Sequence, residues 1–197
     1  MAQRYLHIDI TSHQAAKHVD GPCGDVVAQR RTDMCTDVIL CDGIGSGIKA
    51  HIAATLHVSR MLKMLAEGFS LRRTFASVIA TVDKWRDPAK PYAAVILMRI
   101  LNDGEATILT YDAPASVLAS RDHADVLPQR PLLIDDAVAQ QSSCFLEPGE
   151  GVLLFSDGIT QAGIGNGSMH GWTSEGAAGH ASRLLAAGYR MSDIPEA

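Results

Sequence analysis

The chain has 197 residues, 47% of them hydrophobic, and a formal net charge of -5. That length fits one domain with a substantial core, and the acidic balance argues against nucleic acid, whose phosphate backbone recruits a basic patch. The central apolar run, Ala93 to Met98, is far short of the roughly 18 residues of a membrane span; with no signal-type apolar core at the start, a soluble cytoplasmic protein without a membrane partner is expected.

Tyr5 to Ile10 alternates, Leu6, Ile8 and Ile10 opposite His7 and Asp9, and predicts an edge or near-edge strand. Thr11 to Pro22 is polar and closes on Asp20-Gly21-Pro22, a loop signal. Gly24 to Gln29 predicts a second strand with Asp25 at its start, and Arg30-Arg31-Thr32-Asp33 a charged turn into a third, Val38 to Cys41. Strand, turn, strand implies an antiparallel hairpin. Asp42 ends the third strand, and Gly43, Gly45 and Gly47 follow it. The period then lengthens: Ile48, Ile52 and Leu56, then Val58, Leu62 and Leu65, predict a helix of about twenty residues capped at Gly68. Leu71, Phe75, Val78, Ile79 and Val82 form the apolar face of a second helix, N-capped by Ser70 and stopping before Pro88. Both stripes read as packing against a sheet.

From Pro91 the pattern is strand-like. Tyr92 to Leu101 is a long apolar strand, Asn102-Asp103-Gly104 a hairpin signal and Ala106 to Tyr111 the return. Shorter strands fit Ser116 to Ala119, Leu132 to Ile134, Gln140 to Leu146 and Gly151 to Phe155, with turns at Asp112-Ala113-Pro114 and Glu147-Pro148-Gly149. Gly163 to Gly171 reads as a mobile glycine-rich loop, and Ser174 to Ala187 as a last helix packing Ala177, Ala181, Leu184 and Leu185. Two helices between early strands and a run of hairpins predict an α+β fold of mostly antiparallel sheets with helices outside. A doubly wound parallel sheet needs helices between successive strands, and residues 91 to 156 supply none.

Cys23, Cys35, Cys41 and Cys144 form no Cys-x-x-Cys pair, so reduced thiols are expected. His7, His13 and His18 lack tight ligand spacing, and His51 and His57 are six apart, which disfavours zinc. Gly43-x-Gly45-x-Gly47 misses the dinucleotide fingerprint, because Ile48 stands at the third glycine's place, and a phosphate-binding loop would need glycine before Lys49. A hydrolase elbow around Ser156 would need glycine where Leu154 stands, and His7-Ile8-Asp9-Ile10-Thr11 has histidine in place of a haloacid-dehalogenase nucleophile. Asp25, Asp42 and Asp157 remain, each at the edge of a predicted strand. Beside Asp42, Gly43 leaves its carbonyl unobstructed, so an oxygen-only Mg2+ or Mn2+ site is chemically reasonable. The plainer alternative is that Asp42-Gly43 and Asp157-Gly158 merely make turns.

Gly24-Asp25, Asp42-Gly43-Ile44-Gly45-Ser46-Gly47 with Lys49-Ala50, and Phe155-Ser156-Asp157-Gly158-Ile159-Thr160 closely resemble, in order and spacing, the motifs of the metal-dependent protein serine/threonine phosphatases. The nearest branch is the bacterial one typified by the stage II sporulation E phosphatase, and the match covers nearly the whole chain. The resemblance implies a four-layer α-β-β-α sandwich. It also implies hydrolysis of phosphoserine or phosphothreonine on a bacterial signalling protein by a water activated between two Mn2+ or Mg2+ ions. Asp42 would bridge the ions, Gly43 would lend its carbonyl, Asp157 would hold one ion, and Asp25 would bind an ion or its water. Arg30, Arg31 and Lys49 are candidates to grip phosphate, although each also reads as a solvated surface charge. The family's final strand and Gly-Asp-Asp-x-Thr type motif do not follow, and Asp135-Asp136 is no substitute. Residues 1–197 are therefore expected to form a single phosphatase-like domain lacking that strand and ligand. The alternative is a catalytically weak regulatory or binding domain that keeps the fold.

Overall fold

The computed structural model describes residues 5–16, 21–45, 47–83, 92–164 and 171–196. Its elements are β1 (Asp25–Arg31), β2 (Cys35–Gly43), α1 (Ile48–Ala66), α2 (Leu71–Asp83), β3 (Ala93–Leu101), β4 (Glu105–Tyr111), β5 (Val117–Ala119), β6 (Ala124–Val126), β7 (Arg130–Ile134), β8 (Ala137–Phe145), β9 (Gly151–Leu153), α3 (Asp157–Thr160) and α4 (Thr173–Ala186), then a 3-10 turn, Met191–Glu196. Six strands pair in the order β1-β2-β3-β4-β8-β7 and three in the order β6-β5-β9, all antiparallel. Asp20, Ser46, Pro88, Pro91 and residues 165–170 of the expected glycine-rich loop lie outside the described residues, as does His18.

Strand parity builds the layers. Ile39 and Cys41 of β2, Val95 and Leu97 of β3, and Leu109 and Tyr111 of β4 share one face, packed on Val58, Met61 and Leu65 of α1 and Phe75, Val78 and Ile79 of α2. Their alternates, Val38, Leu40, Ile96, Met98 and Ile108, meet Leu118, Val152 and Leu154 on the side of the second sheet. The far face of that sheet, Val117 and Ala119, packs on Ala178, Ala181 and Leu185 of α4. The order is α-β-β-α, and with both faces of β2 and β3 covered their sequences are continuous apolar runs. Phe75, fully buried, contributes about 2 to 3 kcal/mol of transfer free energy.

The structure corrects four local expectations. Residues 5–10 form no ladder: one backbone bond, Leu6 N–H to the Asn102 carbonyl at 2.8 Å, ties them down, while Leu6, Ile8 and Ile10 still pack on the inter-sheet core. Arg30 and Arg31 belong to β1, opposite Asp37 and Thr36, because the fully buried Asp37 carboxylate accepts from Arg30 at 3.2 Å and from Arg99 at 2.6 and 3.0 Å. The turn is Thr32 to Met34, where the Thr32 hydroxyl accepts from the Met34 and Cys35 amides. In α1 the expected stripe is reversed in its first half: Ile48, Ile52 and Leu56 are exposed, and Ala50, Ala53 and Ala54 are buried. The helix approaches β2 so closely that a Cβ on Gly43 would stand 2.0 Å from the Ala50 carbonyl oxygen, and only small side chains fit beneath it. The Gly151 to Phe155 run ends as a strand at Leu153, and Asp157 opens the short helix α3.

Candidate metal centre

The register of the first hairpin sets Asp25 directly opposite Asp42, and directly opposed antiparallel residues have Cα atoms about 4.5–5.5 Å apart. Asp42 shares the parity of Val38 and Leu40, so both carboxylates belong to the mouth between the two sheets. Asp157 reaches the same mouth from the other layer, four residues after β9. The three carboxylates interact: Asp42 is pushed up to about 8, first by burial, then by the negative charge of Asp25 and of Asp157, with which it is also in hydrogen-bonding contact. Three carboxylates crowded in this way are relieved by a proton or by a cation.

Neighbouring groups hold the arrangement. The Ser156 hydroxyl donates to Asp25 Oδ2 at 2.8 Å, and Gln161 Nε2 donates to Asp157 Oδ2 at 2.9 Å. Gly43 N–H donates to the Gly24 carbonyl at 3.2 Å, and Ile44 N–H to the Tyr92 carbonyl at 2.6 Å. Beyond them the chain swings into α1 through Gly45 at φ +111° and Gly47 at φ +70°, left-handed conformations that favour glycine. The donor set is hard oxygen throughout, which fits Mg2+ or Mn2+ and not zinc. Among the described residues no three His, Cys, Asp or Glu side chains are gathered closely enough to hold a metal ion. Asp25 and Asp42 meet through their direct pairing, and the Ser156 bond ties the residue before Asp157 to Asp25.

Residues 32–188 match the family described as Stage II sporulation protein E (SpoIIE). The chain belongs to the SpoIIE family. Asp42 and Asp157 lie within the matched residues and Asp25 precedes them. The fold is that of PP2C-type phosphatases. The PP2C phosphatase domain with a regulatory fragment of SpoIIE from Bacillus subtilis is 19% identical, with a TM-score of 0.74 over 94% of this chain and 54% of that one. The RsbU and RsbW domains of a Mycobacterium tuberculosis protein are 16% identical, TM-score 0.75, over 90% and 51%. A serine/threonine phosphatase of S. agalactiae is 14% identical, TM-score 0.68, over 95% and 90%. This chain thus spans about half the length of the first two. No curated protein sequence matches it.

Within this SpoIIE-family chain, Asp25 pairs with Asp42 across the first hairpin, Asp157 is close enough to raise Asp42, and Gly43 has a packing duty under Ala50. Arg30 and Arg31 do not belong with them. They are five and six residues along β1 from Asp25, about 17–20 Å at 3.4 Å per residue, and are bonded to Asp37 and to the Ile8 carbonyl. Lys49, exposed in the first turn of α1, is the candidate of the three at the site's end of the sheet. Ser156 and Gln161 were not legible as site residues, because their bonds to carboxylates depend on how the second sheet docks. A serine at the junction of strand and helix was the available signal.

Proposed function

We propose that this chain hydrolyses phosphoserine or phosphothreonine on a bacterial signalling protein at a binuclear Mn2+ or Mg2+ site. Asp42 would bridge the ions, Gly43 would contribute its carbonyl, and Asp25 and Asp157 would hold them directly or through water. The observation that supports this reading is the direct pairing of Asp25 with Asp42, with Asp157 near enough to raise Asp42. Two such ions, when bound, acidify water and neutralise charge developing on the phosphoryl oxygens. The chain's own residues leave the mouth open to a peptide, since Asp157 and Gly158 are exposed. Two fold relatives support the metal and the signalling context: RsbX in complex with magnesium, TM-score 0.58, and the RsbU and RsbW domains already described. Among the described residues no helix is long and apolar enough to cross a membrane.

Cysteine chemistry is not needed. Cys41 is fully buried on the α1 side of β2, opposite in parity to Asp42, and burial followed by the Asp42 charge pushes its thiol up to about 12. Cys144 is raised by burial and then by Glu150. Alkylating the accessible thiols of the native protein is expected to leave phosphate release unchanged, since the proposed nucleophile is a metal-activated water and not a thiol. Loss of turnover with an intact circular dichroism spectrum would point to a cysteine mechanism.

A catalytically weak domain that keeps the fold is the second reading, favoured because no three His, Cys, Asp or Glu side chains among the described residues are gathered closely enough to hold a metal ion. Phosphate release from phosphoserine and phosphothreonine peptides, with Mn2+ and with EDTA, separates the two. The phosphatase reading expects release that requires Mn2+ and stops with EDTA. No release at saturating Mn2+ favours the weak domain.

A further inference from the structure

Ser156 occupies the N-cap position of α3 yet makes no side-chain cap bond. A serine there ordinarily turns its oxygen back to accept from the second or third amide of the helix. Here the hydroxyl acts as a donor in another direction, to Asp25 Oδ2 at 2.8 Å, across 131 residues of sequence. The turn is closed instead by backbone, with Ile159 N–H donating to the Ser156 carbonyl at 3.3 Å. The other end of α3 repeats the device, Gln161 donating to Asp157 Oδ2. One helical turn therefore carries two donors, each on a different carboxylate of the candidate site. Their surroundings differ: Ser156 is half-buried between the sheets, whereas Gln161 is exposed and competes with water.

We propose that Ser156 is a positioning residue for the cation site, acting through Asp25. This rests on the metal-site reading above and adds the group that prepares one of its ligands. An aspartate at the end of a strand has free χ1 and χ2, and binding an ion requires both to be fixed. The hydroxyl fixes them beforehand by engaging Oδ2, which leaves Oδ1 and the remaining lone pair of Oδ2 as acceptors. It is also neutral, so it orients the carboxylate without cancelling the charge that attracts a cation. Partners of this kind, behind a metal ligand, typically alter affinity by about 10- to 100-fold. A single neutral donor at a half-buried position belongs near the lower end.

Calorimetric titration of Mn2+ into the parent chain, Ser156→Ala, Ser156→Thr and Asp42→Asn tests this, alongside metal-free melting curves. The expected result is a Kd for Mn2+ raised about tenfold in Ser156→Ala and near the parent value in Ser156→Thr, which keeps the hydroxyl. Melting curves of the two should be alike, because no cap bond is lost. Gln161→Ala should weaken binding less than Ser156→Ala. Parent-like affinity in Ser156→Ala overturns the proposal, and so does equal weakening in the alanine and threonine variants, or a collapse of the metal-free fold in Ser156→Ala. Failure of the site itself looks different: Asp42→Asn would then bind Mn2+ as the parent does, or the parent would bind none.

Discussion

Asp42→Asn is expected to lower Mn2+-dependent phosphate release by about a thousandfold or more, equivalent to about 4 kcal/mol of transition-state stabilisation, while making the metal-free protein more stable. The two effects share one cause. Asp42 is the carboxylate flanked by both others, and burial with their charge lifts it from an ordinary 3.8 to about 8. Between those values the folded chain holds a proton that the unfolded chain has released. The stability of the metal-free parent is therefore fully present below pH 4 as far as this group is concerned, falls as pH rises, and reaches its floor above pH 8. Asparagine carries no such penalty. Its advantage grows through the same window to about 1–2 kcal/mol, discounted for screening because the side chain is half-exposed. Melting curves in EDTA from pH 5 to 9 check the sign. A variant less stable than the parent at pH 8, or one that keeps its Mn2+-dependent activity, would contradict the assignment.

Gly43→Ala should be strongly damaging to stability. The added Cβ would lie 2.0, 2.4 and 2.7 Å from the carbonyl oxygen, carbonyl carbon and Cα of Ala50, all backbone atoms that no rotamer change can move. Helix α1 would have to lift off β2, at a cost of about 3 kcal/mol and a fall of roughly 6–12 °C in Tm for a chain of this size. Activity should fall with it, since the same displacement carries the loop that follows Asp42. Gly45 is the control. Nothing lies within 4 Å of a Cβ there, and only its φ of +111° opposes substitution, so Gly45→Ala should cost about 1–2 kcal/mol. Equal melting temperatures for Gly43→Ala and the parent would show that the close approach does not constrain the fold.

The contrast between those glycines also explains how far the sequence could be read. Runs such as Val38 to Cys41 and Ala93 to Met98 declare strands buried on both faces, and the pairs Asp42-Gly43 and Asp157-Gly158 follow apolar runs that form strands in the two sheets. What depends on distance was hidden. The α1 stripe looked like Ile48, Ile52 and Leu56 until the helix was seen to sit against Gly43, which reserves the inner face for alanines. Arg30 and Arg31 looked like turn residues or phosphate ligands because their partners, the buried Asp37 carboxylate for Arg30 and the Ile8 carbonyl for Arg31, lie far off in sequence or across a ladder. Strands of three residues, such as β6, are shorter than the period needed to recognise them. Ser156 read only as the residue between a strand and Asp157-Gly158, and its bond to Asp25 depends on the docking of the two sheets.

Crystals grown with Mn2+ and measured at the manganese absorption edge test the central claim most directly. The account predicts anomalous density at the mouth between the sheets, with oxygens of Asp25, Asp42 and Asp157 and the Gly43 carbonyl in reach, direct ligands lying within roughly 2.6 Å of an ion. Manganese bound elsewhere on the protein while these carboxylates stay free of it, or carboxylates spread by more than about 10 Å, too far to share one ion, would contradict it.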